Sequence, residues 1–330
     1  MSTRIVTSGL ALIGLAGSAA AQSASQKLTA EITRIEPSSG GTVGVAAQHI
    51  ESGRTFFYKA DEQFPLASTY KVPMAILGMK LDQERKLDLN EMIQWDTTDL
   101  HIGSEAHLLF RKPGFATSLR NIVENTIILS ENNSTDILLA KIGGGAAVTQ
   151  YLRSLGINDM RIDRPTAEVI AHPYGITDIW TADGKFSRTK WEKQVAAVSQ
   201  ARRDSIAWYY AKDPRDHASP RAMLTLLTKL WKGELLDKAH TDELLDIMYR
   251  TETGRGRLKG MLPEGTRVAH KTGTYAGTAN DVGIIDMPDG SHLAIAIYVK
   301  GSRRIQGPPL ENAIAQSARA VYDYFLYSSK

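Results

Sequence analysis

Short β-rich segments lie towards both ends of this 330-residue chain, and helical periodicity dominates between them. Near the N-terminus, Thr42–His49 and Thr55–Lys59 are rich in strand-forming residues, and Glu51-Ser52-Gly53 provides a hairpin turn between them. Three further strand-like runs follow Lys259, and they are Arg267–Gly273, Asp281–Asp286 and His292–Val299. Because the strands need partners, the two ends are predicted to build one sheet around an inserted helical domain.

The middle of the chain carries apolar residues at three- and four-residue intervals between about Thr69 and Met160. A final amphipathic helix is predicted from about Leu310 to Tyr327. The predicted fold class is therefore α/β, with a sheet flanked by helices. The predicted boundaries are residues 22–66 and 250–330 for the sheet domain and 67–249 for the helical domain, which includes a long loop insertion at 165–217.

Composition excludes several classes of protein. Hydrophobic residues make up 42% and charged residues 23%, which is typical of a globular domain. The chain has no cysteine, so it holds neither a disulfide framework nor a thiol nucleophile. Its 39 basic and 36 acidic residues are interspersed, without the basic stripe of a nucleic-acid-binding protein. The eight histidines lack His-x-His and His-x-x-x-His spacing, which argues against a zinc hydrolase.

The N-terminal segment Met1–Gln22 has the pattern of a secretory signal. Arg4 precedes the apolar run Ile5–Leu15, and small residues follow up to Ala21. A membrane anchor is the alternative, but the run is interrupted by polar residues and is shorter than the ~20 apolar residues that span a bilayer. We predict that residues 1–21 are removed and that the mature protein is secreted or periplasmic, without a stable membrane anchor.

The first chemical motif is Ser68-Thr69-Tyr70-Lys71, at the start of a predicted helix. Lys71 follows Ser68 by three positions, so both lie on one helix face. A serine hydroxyl becomes a nucleophile when a neighbouring base takes its proton, and a desolvated amine is such a base. Taken alone, the motif more often marks a helix-capping serine followed by a solvated lysine.

Two further motifs favour the catalytic interpretation. Ser130-Glu131-Asn132 follows an apolar helix, and Lys271-Thr272-Gly273-Thr274 lies on a predicted strand. The order and spacing of the three motifs match those of serine β-lactamases and penicillin-binding proteins.

With these motifs, the chain resembles the class A serine β-lactamase family, in particular its extended-spectrum branch typified by Bacteroides and PER-type members. The similarity covers most of the mature chain and is densest in Phe64–Pro73, Asn132–Leu139 and Thr253–Thr274. It implies a β-lactamase/transpeptidase-like fold with an antiparallel sheet and an inserted all-helical domain. It also implies a small-molecule β-lactam substrate and no cofactor or metal, and we predict a monomer.

The resemblance further implies catalytic roles for four residues. Ser68 would attack the β-lactam carbonyl and form an acyl-enzyme, and Lys71 would act as base or proton relay. Ser130 would pass a proton to the departing lactam nitrogen, with Lys271 beside it.

Other residues would bind the substrate. The family pattern implies that Asn132 orients the substrate's side-chain amide and Lys71. The backbone N–H groups of Ser68 and Thr274 would form the oxyanion hole. Arg257 would hold the substrate carboxylate together with Thr272 and Thr274, since a guanidinium suits a forked acceptor.

The segment that should supply the base for deacylation departs from the family pattern. Arg161-Ile162-Asp163-Arg164 is present, but an ungapped comparison with common members places Thr166 at the base and Ile170 at the usual asparagine. With one adjustment around Ala167, Thr166, Glu168 and His172 instead approximate the PER-like pattern, which makes Glu168 the general base.

The resemblance pairs Arg164 with Asp216, which closes a loop much longer than usual. Its segment Lys190–Tyr210 is predicted to be helical, and Asp178 is a second candidate carboxylate for the site. A structural surface excursion and a substrate-binding lid are both consistent with this loop. Three tryptophans lie within it, at Trp180, Trp191 and Trp208.

The sequence thus predicts an exported serine β-lactamase in which Glu168 assists deacylation. One alternative is a penicillin-binding D,D-peptidase of the same fold, with slow or absent deacylation. A second alternative is a β-lactam receptor that does not turn over its ligand.

Overall fold

A computed structural model describes residues 23–95, 102, 114–304 and 306–327. The predicted signal segment, residues 1–21, lies outside these residues, so its removal stays a prediction. Within the described ranges, no helix combines the length and the apolar character needed to cross a membrane.

A five-stranded antiparallel sheet joins the two ends of the chain, as predicted, in the order β2-β1-β9-β8-β7. Two of its strands come from the N-terminal segment and three from the C-terminal segment. Two smaller two-stranded sheets pair β3 with β6 and β4 with β5. The strands are β1 (Thr42–His49), β2 (Thr55–Tyr58), β3 (Phe64–Pro65), β4 (Met92–Gln94), β5 (Ala116–Ser118), β6 (His217–Ala218), β7 (Val268–Tyr275), β8 (Thr278–Asp286) and β9 (His292–Lys300).

Helices cover both faces of this sheet. Those of the described residues are α1 (23–35), α2 (Lys71–Gln83), α3 (Leu119–Ile128), α4 (Asn132–Lys141), α5 (Gly144–Ser154), α6 (Thr166–Ala171), α7 (Arg188–Ala197), α8 (Gln200–Asp204), α9 (Ile206–Lys212), α10 (Pro220–Trp231), α11 (Lys238–Tyr249) and α12 (Pro308–Tyr327). The predicted fold class, an antiparallel sheet flanked by helices with helices inserted between its halves, is confirmed. The domain boundaries given above stay a prediction.

Strand periodicity separates the two largest hydrophobic cores of the described residues. Val43 and Val45 of β1 point to the face covered by α1 and α12. Ala46 points to the opposite face, where it joins the core of the helical part. Successive residues of a strand face opposite sides of the sheet, and helices cover both sides. The strands in the middle of the sheet therefore contain continuous runs of apolar residues.

The long loop contains three short helices where the sequence predicted one over Lys190–Tyr210. That prediction is wrong because Val198 has an extended backbone, with φ −68° and ψ 124°, and ends α7. The next residue, Ser199, then starts α8 by accepting a hydrogen bond from the amide of Arg202. Ser and Asp side chains favour such caps, and a helical apolar pattern alone does not reveal them.

Candidate active site

Ser68 lies in a tight 3-10 turn, Ala67–Tyr70, that runs directly into α2. Strand β7 passes against this turn at Gly273. A Cβ atom at Gly273 would lie 2.8 Å from the carbonyl oxygen of Leu66 and 3.0 Å from the amide nitrogen of Ser68. Only glycine allows this close approach, which brings the Ser68 backbone beside the strand that carries Thr274.

Lys71 and Lys271 converge on Ser130 from opposite sides. The Nζ of Lys71 donates to the Ser130 carbonyl oxygen at 2.7 Å and contacts Ser130 Oγ at 3.2 Å. The Nζ of Lys271 donates to the same Oγ at 2.8 Å. Ser130 has a positive φ of 58°, a conformation that is uncommon outside glycine and that turns its hydroxyl between the two amines.

Burial changes the proton affinity of both amines. Both lysine side chains are fully buried. Desolvation lowers the pKa of Lys71 to about 7, although Glu131 and Asp136 oppose the shift. Burial, together with the neighbouring charge of Lys71, lowers the pKa of Lys271 well below its ordinary value. Lys71 is therefore able to act as a base near neutral pH.

Asn132 completes the contacts of Lys71, whose Nζ donates to Asn132 Oδ1 at 2.7 Å. Asn132 is the first residue of α4, and the Glu131 carboxylate caps that helix by accepting from the amides of Asn133 and Ser134. Glu131 therefore fixes the helix start that presents Asn132 to the lysine.

A small cavity of about 60 Å³ opens beside the nucleophile. It is lined by Ala67, Ser68, Tyr70, Asn132, Thr166, Val169, Ile170, Thr274 and Tyr275. The structure thus brings the predicted nucleophile, Asn132 and Thr274 to one opening.

The predicted carboxylate-binding residues also meet. Arg257 is buried, and its Nη1 donates to the Gly273 carbonyl oxygen at 3.0 Å while its Nη2 donates to Thr274 Oγ1 at 2.6 Å. Thr272 of β7 shares a 2.6 Å hydrogen bond with Thr253 of the preceding loop. Glu311 of α12, which sequence reasoning missed, lies 3.2 Å from Arg257 Nη2 and offsets part of its charge.

Glu168 does not line this cavity in the described conformation. Helix α6 turns Thr166, Val169 and Ile170 towards Ser68, whereas Glu168 lines a separate cavity of about 550 Å³. Glu168 Oε1 accepts a 2.9 Å hydrogen bond from the Trp180 indole. Its general-base role stays a prediction, and the structure places Thr166, as in the ungapped comparison, nearer the nucleophile.

His172 and Asp178, the other loop residues considered for the site, do not line the Ser68 cavity either. His172 Nε2 is 4.0 Å from Glu168 Oε2, and its Nδ1 is 3.0 Å from Arg164 Nη1. Asp178, the second candidate carboxylate, is exposed and pairs with Lys190 at 2.7 Å. Asp178 is therefore engaged on the outer surface of the loop.

The loop ends are held by buried charges. Arg164 Nε donates to Asp216 Oδ2 at 2.6 Å, and Asp216 Oδ1 also accepts from the Arg164 amide at 3.1 Å. Asp213 Oδ2 accepts from Arg164 Nη1 at 2.9 Å, a partner that the sequence did not reveal. The structure brings the predicted loop pair together.

Asp136 is a further residue that sequence reasoning missed. Its carboxylate accepts from the amides of Thr166 at 2.6 Å and Ala167 at 3.2 Å, which caps α6 from a neighbouring helix. The available signal was its position four residues after Asn132, which puts both side chains on one face of α4.

Comparisons with known proteins agree with this arrangement. A sequence model described as the beta-lactamase enzyme family matches residues 27–325. The chain is 27% identical over 330 residues to the extended-spectrum beta-lactamase PER-1 of Pseudomonas aeruginosa, covering 98% of this chain and 95% of that protein. It is 26% identical to an imipenem-hydrolyzing beta-lactamase of Enterobacter cloacae, covering 89% of this chain and 88% of that protein.

Solved structures show the same similarity. A beta-lactamase from Chitinophaga pinensis is 31% identical, with a TM-score of 0.72, and the match covers 90% of this chain and 98% of that one. The TLA-1 extended-spectrum beta-lactamase is 27% identical, with a TM-score of 0.74 and coverage of 92% and 99%.

The loop pair generates a stability prediction. Arg164→Ala leaves the Asp216 carboxylate buried without its guanidinium partner and should lower the free energy of unfolding by about 3–5 kcal/mol. Urea unfolding followed by circular dichroism measures the change. Arg161→Ala is the matched control, because Arg161 forms an exposed ion pair with Asp163 and should cost no more than about 1 kcal/mol. Equal losses in the two variants would contradict the structural role assigned to the buried pair.

Proposed function

This chain belongs to the class A beta-lactamase enzyme family, and on that premise we propose that it hydrolyses β-lactams through an acyl-enzyme on Ser68. The observation that carries the proposal is the convergence of two buried lysine amines on the Ser130 hydroxyl, next to the turn that holds Ser68. The alternative interpretation, in which Ser68 only caps a helix and Lys71 is solvated, does not explain why both lysine side chains are fully buried.

Acylation begins when Lys71, acting as base or relay, accepts the proton of Ser68. The Ser68 oxygen then forms a bond to the lactam carbonyl carbon, and negative charge develops on the carbonyl oxygen. The amide N–H groups of Ser68 and Thr274 stabilise this charge, a contribution of roughly 3–4 kcal/mol per donor. A pKa of about 7 leaves a large share of Lys71 as the neutral amine at neutral pH.

Ser130 supplies the proton to the leaving nitrogen as the lactam C–N bond breaks. The Ser130 Oγ accepts hydrogen bonds from both lysines, which occupies its two lone pairs. The hydroxyl hydrogen of Ser130 is therefore available to the substrate nitrogen. The proton passed to nitrogen is replaced from one of the adjacent amines. Lys271 holds the Ser130 hydroxyl in place through its 2.8 Å hydrogen bond.

Arg257, Thr272 and Thr274 bind the substrate carboxylate in this proposal. Because Thr274 Oγ1 accepts from Arg257 Nη2, the Thr274 hydroxyl keeps its hydrogen for an incoming anion. Arg257 thereby orients the hydroxyl and adds positive charge behind it. Asn132, held by Lys71, offers its amide group at the same cavity.

Deacylation is assigned to Glu168 as the base that activates water. It lies on the short helix whose residues Thr166 and Ile170 line the Ser68 cavity. The assignment requires that the hydrogen bond from Trp180 breaks and that the carboxylate turns towards the acyl group. Export to the periplasm or medium, as predicted from residues 1–21, completes the proposal.

Time-resolved intact-mass spectrometry with a penicillin and a cephalosporin tests the proposed function. We expect a transient adduct with steady release of hydrolysed product, and Ser68→Ala should abolish both. Ser154→Ala, at an exposed serine, is the matched control and should behave as the parent. A stable stoichiometric adduct on Ser68 would contradict hydrolysis and indicate the D,D-peptidase or the non-turnover receptor.

Glu168→Gln tests the deacylation base. The amide cannot take a proton from water, so the acyl-enzyme should accumulate and kcat should fall by about 10²- to 10⁴-fold. Stopped-flow kinetics and intact mass measure the two effects. Glu192→Gln, at an exposed carboxylate of the same loop, should leave both unchanged. Hydrolysis by the Glu168 variant at the parental rate would show that another group activates the water.

A further inference from the structure

The long loop inserts one fully buried tyrosine beneath the nucleophile turn. Tyr210 of α9 is 1% exposed, and its hydroxyl accepts a 3.1 Å hydrogen bond from the amide of Ala67. Ala67 is the residue directly before Ser68. A residue of the insertion, 143 positions away in sequence, therefore contacts the backbone that carries the nucleophile.

The turn that Tyr210 contacts is strained. Ala67 has a φ of +43°, in the left-handed region that residues with a Cβ rarely adopt. Such a conformation costs about 1–3 kcal/mol and persists only where surrounding contacts determine it. Leu66 supplies two of these contacts, since its amide donates to the Asp216 carbonyl at 2.9 Å and its carbonyl accepts from Thr69 at 3.1 Å. The Tyr210 hydroxyl supplies the partner of the Ala67 amide itself.

Tyr210 also contacts the second element of the oxyanion site. Its ring packs edge-on against Tyr275, with ring centroids 5.0 Å apart and an interplanar angle of 79°. Tyr275 follows Thr274 directly on β7, and its hydroxyl donates to the Ile170 carbonyl oxygen at 2.6 Å. One buried side chain thus touches the backbone before Ser68 and the side chain after Thr274.

We infer that Tyr210 is a positioning residue that holds the amide N–H groups of Ser68 and Thr274 at the spacing needed to stabilise the oxyanion. The inference rests on the proposed function and assigns a catalytic purpose to the lengthened loop. Burial raises the pKa of Tyr210, so the phenol stays neutral and accepts the Ala67 N–H across the working pH range. Misplacement of a donor by about 1 Å costs on the order of 10²-fold in rate.

Tyr210→Phe tests the inference because it removes only the hydroxyl and keeps the ring against Tyr275. With the Ala67 amide unpaired, we expect kcat for a penicillin to fall by about 10- to 100-fold, with KM changed by less than about 2-fold. The affinity for phenylboronic acid, which forms a tetrahedral adduct with a serine hydroxyl, should fall by a similar factor. A purely structural role would lower the thermal midpoint and leave kcat of the folded protein unchanged.

Tyr209→Phe is the matched control on the same helix. Tyr209 is partly exposed and lies under the Arg202 guanidinium, away from Ala67, so its kcat and boronate affinity should equal those of the parent. If Tyr210→Phe does not fold, the same comparison is made between Ala67→Gly and Ala67→Gly/Tyr210→Phe, since glycine adopts the left-handed turn without strain. A lower kcat in the double variant supports the inference, and an equal kcat overturns it.

Wild-type turnover, measured alongside, separates the two claims. Absence of turnover by the wild type would refute the proposed function and with it this inference. Wild-type turnover together with unchanged kcat and boronate affinity in Tyr210→Phe would refute the positioning role alone.

Discussion

The structure depends on the burial of two lysine amines against one serine hydroxyl. Lys71 comes from α2, Lys271 from β7 and Ser130 from the turn before α4, so the sheet and the helical part must meet at this point. Removing an amine from water costs several kcal/mol when it stays charged. The depressed pKa of Lys71 lowers that cost near neutral pH, and it makes the Lys71 amine able to act as a base.

The long loop is attached to this centre at several points. Buried Arg164 holds its ends through Asp213 and Asp216, and Asp136 caps the short helix that lines the cavity. Tyr210 then reaches the strained residue before Ser68. These buried contacts fix the loop against the active site. They favour a structural support for the site over a freely moving lid.

The sequence predicted the parts of the site that lie in three short motifs, through their order, spacing and family resemblance. Ser68 and Lys71 are three residues apart at a helix start, and Lys271 lies on a predicted strand. The side of α6 on which Glu168 lies was not predictable, because each residue turns a helix by about 100° and the two alignments place the base at positions two residues apart, Thr166 or Glu168. The roles of Tyr210 and Glu311 were not predictable from the sequence, because their partners Ala67 and Arg257 are distant in sequence and the contacts form only through tertiary packing.

The central claim is that Lys71 is a desolvated amine poised as a base, and its titration tests this most directly. NMR detection of ¹³Cε-labelled lysine in the ligand-free protein, assigned by Lys71→Arg, follows the side chain from pH 5 to pH 11. The account predicts that Lys71 is an ammonium below a pKa of about 7 and a neutral amine above it. An ammonium that persists to about pH 10, as for a solvated lysine, would contradict the account.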